Sequence, residues 1–200
     1  MFDEEYYTAQ FKDHVATFTD YGNIKILDFK KPDSCYYRIR FLFEDDYCKL
    51  HISGDLGYVT ASNHNMKYEQ FFTAYVNSPG YFREKVDTHS RPFFVYDHSE
   101  AVADLTRHAQ NSRWLDDVVD DDEAYEEALG DLIDDVLIGF DDDRGISQEG
   151  YNALSNYDYD CWEYASDIGK VETAFVDLYL LAFKLAWEQL HTSGARDDSN

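Results

Sequence analysis

Between Asp116 and Asp143 the chain has no lysine and no arginine. It is also poor in three other things. Its three cysteines, Cys35, Cys48 and Cys161, are odd in number and form no C-x-x-C pair, which excludes a disulfide framework and a zinc knuckle. No apolar run is long enough to cross a bilayer, because residues 171–190 are interrupted by Glu172, Asp177, Lys184 and Glu188. The start, Met-Phe-Asp-Glu-Glu, lacks the basic and apolar regions of a secretory signal. A cytoplasmic setting, with no membrane partner, is the expectation. Glycine-rich phosphate loops, the G-x-S-x-G elbow and dinucleotide fingerprints are missing as well. The seven histidines are scattered without H-E-x-x-H spacing. Neither a cofactor nor a resident metal is expected.

Aromatic residues and acids are abundant. Seventeen tyrosines and fourteen phenylalanines are enough to build a core in 200 residues, so the chain is expected to fold despite a net charge of −24. That charge is uneven. Residues 1–110 carry 17 acids and 12 bases, and residues 111–200 carry 24 acids and 5 bases. Free nucleic acid is thereby excluded as a direct ligand, since phosphate binding needs a basic patch.

The pattern predicts an α+β fold. The first twenty residues read as a short helix with Tyr7, Phe11, Val15 and Phe18 at spacings of three and four. Residues 23–62 then read as an antiparallel β-meander of about four strands, at 23–29, 36–43, 48–53 and 58–62. Alternation within the second puts Tyr37, Ile39, Phe41 and Phe43 on one face. Helices are predicted over 67–76, from Ser78-Pro79 through Val86, over 99–109 capped by Ser99, over 147–154 and over 170–191, with a fifth strand over 91–96. The division expected is a sheet unit, 1–110, with an acidic helical region, 111–200, packed on it as one compact domain. In the last helix Val176, Leu180, Phe183 and Trp187 form a second apolar stripe. Burial within the chain and a homodimer through this face both fit it.

Helical periodicity is clearest over 115–140, where Leu115, Val118, Val119, Tyr125, Leu129, Leu132, Ile133, Val136, Leu137 and Phe140 share one side. The other side carries Asp116, Asp117, Asp120, Asp121, Asp122, Glu123, Glu126, Glu127, Asp131, Asp134, Asp135, Asp141, Asp142 and Asp143. That is fourteen acids in 28 residues. A continuous helix of this length would be roughly 42 Å long. Its charge spacing of roughly 3 Å compares with about 3.4 Å per phosphate along a DNA strand. Three readings fit: mimicry of nucleic acid before a basic partner, a solvated face, and cation binding. The loops starting at Asp141 and Asn156 fail the EF-hand pattern, with Gly145 at position 5 of one and Cys161 at position 6 of the other. A small hydrolase using His51 or Asp55 is a weaker alternative, and an assembly protein that self-associates is another.

Residues 23–86 resemble a group of small proteins of phages and prophages of Gram-positive bacteria. The likeness rests on a strand, the turn Gly54-Asp55-Leu56-Gly57, an aromatic helix and the segment Pro79-Gly80-Tyr81-Phe82 ending in Lys85. It implies an accessory gene of the kind that includes anti-CRISPR and anti-restriction inhibitors. The expected partner is then a basic nucleic-acid-binding protein, such as a host defence nuclease of the Cas9 kind. No catalytic residue carries over, and the acidic segment lies outside the likeness.

Overall fold

The computed structural model describes residues 2–115 and 121–194. In chain order its elements are α1 (Glu4–Phe11), β1 (Val15–Asp20), β2 (Ile24–Lys30), β3 (Ile39–Glu44), β4 (Lys49–Gly54), β5 (Gly57–Ser62), α2 (Tyr68–Tyr75), α3 (Pro79–Arg83) and β6 (Val86–His89). Then come β7 (Phe94–Tyr96), α4 (His98–Ser112), α5 (Asp122–Val136), α6 (Gln148–Tyr157), two 3-10 turns (Cys161–Glu163 and Ala165–Asp167), β8 (Lys170–Glu172) and α7 (Phe175–Gly194). The fold is α+β. Among the described residues, no helix is long and apolar enough to cross a membrane.

The chain divides into two compact units, and the boundary is not at residue 110. One unit joins the chain up to Phe93 with the chain from Ala174 onward, and the other is Phe94–Thr173. Each has its own apolar core.

In the first unit, β1 to β6 form one antiparallel meander in sequence order. Its inner face is set by period-two alternation. Leu27, Phe41, Ile52 and Val59 lie opposite one another across four strands, and Phe43, Leu50 and Ala61 make the neighbouring row. All are buried. The turn between β4 and β5 needs glycine at Gly54, where φ is +152° and a Cβ would stand 1.8 Å from the Arg38 carbonyl oxygen.

Two strands lie where helix was expected. Residues 15–20 are β1, with exposed Val15, Thr17 and Thr19 alternating with half-buried Ala16 and Phe18. The spacing of Tyr7, Phe11, Val15 and Phe18 crosses a helix-to-strand boundary. The helix opened by Pro79 ends at Arg83, and Val86 begins β6. The meander therefore has six strands instead of four. The strand expected near 91–96 exists as β7 and pairs with β8, outside the meander.

Helix α7 lies against the sheet, and Phe183 meets Phe41, Phe43 and Phe71 at centroid distances of 5.2, 5.9 and 4.7 Å. Val176, Leu180 and Phe183 are buried within the unit, at 1%, 3% and 0% exposure. Trp187 stacks on Phe72 at 5.5 Å and on His191 at 4.0 Å. The second stripe is thus covered by the chain's own α2, α3 and sheet, which corrects its reading as a dimer face.

His14 is buried against Phe11 and Phe29. Its Nε2 lies 3.2 Å from the Tyr37 carbonyl oxygen, so that nitrogen donates. Nδ1 finds no partner among the described residues. Burial holds the His14 pKa below its ordinary value, so the folded state prefers the neutral ring. As pH falls below about 6.5, the unfolded chain takes up the proton first. Stability should decline from there until the depressed folded pKa is passed, then level off. Melts between pH 8 and 5 should show this fall in the wild type and a flatter profile in His14→Phe.

Candidate functional site

Phe94–Thr173 carries 23 acids against 4 bases, a net of −19, while the rest of the chain nets −5. Within it α5 buries Leu129, Leu132 and Val136, and packs on α4 and α6. Glu123, Glu126, Glu127, Asp131, Asp134 and Asp135 are exposed on the opposite side. The helix runs for 15 residues, about 22 Å, and not the 42 Å of an unbroken segment. Leu115 sits in a turn before it, and Leu137 begins a turn after it. Asp116, Asp117 and Asp120, with Val118 and Val119, lie outside the described residues. Asp122 is the first helical residue.

Not all fourteen acids have the same job. Asp121 is the N-cap, its side chain accepting from the Ala124 amide at 2.9 Å. Asp141 is half-buried in a turn, where its side chain accepts from the Asp143 amide at 2.9 Å and its carbonyl accepts from Gly145. Asp142 and Asp143 are exposed beside it. Acids in the first turn suit the positive end of the helix. Asp134 and Asp135 do not, because they stand in the last turn beside the negative end, where no base is present. Each costs about 0.3–1 kcal/mol there. Glu123–Glu127, Glu127–Asp131 and Asp131–Asp135 add like-charge repulsion at i,i+4, each about 0.2–0.5 kcal/mol. Two nearby bases are paired off the helix, Arg107 with Asp104 and Arg144 with Asp141. The outer face of α5 is held against its own electrostatics by the apolar face beneath it.

Other candidate chemistry is occupied with structure. His51 lies 3.7 Å from the Glu44 carboxylate. Asp55 accepts from the Arg38 backbone amide at 2.8 Å and from its guanidinium at 3.0 Å, and this hydrogen-bonded pairing holds its carboxyl below the usual range. Burial pushes the Cys161 thiol up, away from thiolate reactivity. Among the described residues no three His, Cys, Asp or Glu side chains are grouped to hold a metal ion.

Sequence reasoning passes over one feature. Tyr159 and Trp162 are 89% and 62% exposed on the turn after α6. The alternation Tyr157-Asp158-Tyr159-Asp160 stands out in the sequence only as a failed calcium loop, although aromatics set between acids are the available signal. Compared with protein-family models, with curated proteins and with solved structures, the chain matches none.

Proposed function

We propose that the chain acts by binding and not by catalysis, as an acidic mimic of nucleic acid that blocks the basic groove of a nucleic-acid-binding protein. The observation that carries this reading is the outer face of α5, where acids persist into the last turn at a cost to the helix. Six exposed acids from Glu123 to Asp135, over about 18 Å, stand one per roughly 3.6 Å along the axis, close to the phosphate spacing of a strand. A face kept only for solubility gains more from mixed signs, which also stabilise the helix. The likeness of residues 23–86 to phage proteins supports a setting in the host cytoplasm and a defence nuclease, such as a Cas9-type effector, as the target.

The test is displacement. A panel of basic nucleases, a Cas9-type effector among them, is loaded with fluorescent DNA and titrated with the protein at low salt. The reading predicts that DNA is released from at least one and that release weakens as salt rises. DNA retained by every member at saturating protein would overturn it.

A further inference from the structure

We infer that the turn carrying Tyr159 and Trp162 is an arginine-binding anchor, the short-range complement to the acidic face of α5. The inference rests on the basic-partner reading above and names what the partner brings: a segment bearing arginine in preference to lysine. Tyr159 is the most exposed large hydrophobic among the described residues. Exposed aromatics on a loose loop would mean little, but this turn is fixed. The Asp158 carboxylate accepts from the Asp160 amide at 2.9 Å through one oxygen and from the Tyr164 hydroxyl at 2.9 Å through the other. Cys161 is fully buried beneath the turn, and the Tyr164 ring stacks on His108 of α4 at 4.1 Å. The two rings are thus presented on a rigid frame, which lowers the entropy lost when a partner docks.

The chemistry around them selects the occupant. Residues 145–169 hold Glu149, Asp158, Asp160, Glu163 and Asp167 and no lysine or arginine, and Arg144, which lines a cavity with Trp162, is paired with Asp141. Asp160 and Glu163, the residues that follow Tyr159 and Trp162 in the chain, are exposed as well. Nucleobases stack on such aromatics, but their phosphates would be repelled by this charge. A guanidinium satisfies both features at once, because its plane lies on an aromatic face while its edge donates to carboxylates. An ammonium is more strongly hydrated and gains less from the ring.

Oligo-arginine and oligo-lysine peptides of equal length and charge separate the two contributions by calorimetry at low salt. The wild type should bind the arginine peptide about tenfold more tightly. Tyr159→Ala with Trp162→Ala should remove that preference while leaving lysine-peptide affinity and the circular dichroism spectrum unchanged. Equal affinities in the wild type, or a preference that survives the double substitution, would overturn the anchor while leaving the acidic mimic intact. Binding of neither peptide would contradict the basic-partner reading and the anchor with it. Binding of a single-stranded oligonucleotide that is lost in the double variant would reassign the rings to base stacking.

Discussion

Replacing Glu126, Glu127 and Asp134 together by lysine should weaken binding to the basic partner on the order of a hundredfold or more at low salt, and at the same time raise the melting temperature. The two effects have opposite signs for one physical reason. In the wild-type helix these carboxylates repel Glu123 and Asp131, and Asp134 sits at the wrong end of the helix dipole. After substitution, the lysine at position 127 stands four residues from both Glu123 and Asp131. The one at position 126 stands three residues from Glu123, and the one at position 134 faces the negative end of the helix. Each pair changes from a cost to a gain of about 0.2–0.5 kcal/mol, and the dipole adds about 0.3–1 kcal/mol. A rise of roughly 1–2 kcal/mol in stability corresponds to several degrees. All three positions are exposed, so the core is not disturbed. Thermal melts and a binding titration on the same preparation check both halves. A face kept only for solvation would show the stability rise with binding unchanged.

Gly150→Ala should collapse the packing of α5 on α6, although alanine is the better helix former. A Cβ at Gly150 would stand 2.0 Å from the Val136 carbonyl oxygen and 3.0 Å from its carbon, both backbone atoms with no rotamer to yield. The helices meet there because Ser147 caps α6, accepting from the Gly150 amide at 3.0 Å and donating to the Ile138 carbonyl at 2.6 Å. Separating them uncovers Leu129, Leu132, Val136 and Leu154, all buried in the wild type. Alanine's propensity gain is about 1 kcal/mol. Overpacking a site with no room costs typically about 1–3 kcal/mol and more when backbone must move, so a net loss of about 2 kcal/mol is expected. Gly130→Ala is the internal control. Nothing lies within 4 Å of its added Cβ, the residue is exposed, and the helix should gain about 1 kcal/mol. Hydrogen exchange should show α5 and α6 exchanging faster in Gly150→Ala while β2 to β5 stay protected.

The meander is legible in the sequence because alternation and turn residues agree locally. Ile39, Phe41 and Phe43 point one way, and Gly54 and Gly57 close the hairpin beside them. The acidic face is legible for a similar reason, since it is written in one helix period. What escapes depends on contacts distant in sequence. Residues 15–20 carry apolar groups at helical spacing, and only pairing with β2 makes them a strand. The end of α3 at Arg83 follows from β6 joining β5, which no local signal between Phe82 and Val86 announces. The two apolar sides of α7 fit a dimer as well as a core until the chain returns it to the sheet unit. Exposure of Tyr159 and Trp162 is likewise tertiary, because helix, strand and turn signals say nothing about which rings a core will take. The N-cap of α4 shows how little separates such outcomes. Asp97 caps it, accepting from the Glu100 amide at 3.0 Å, where Ser99 two residues on has the same chemistry.

The most direct test of an acidic surface made to meet a basic groove is a pull-down from bacterial lysate with the wild-type protein and the Glu126, Glu127 and Asp134 to lysine variant side by side, eluted by rising salt. The account predicts that basic nucleic-acid-handling proteins are retained by the wild type, leave as salt rises and are missing from the variant. Retention of the same proteins by both, or of nothing basic by either, would contradict it.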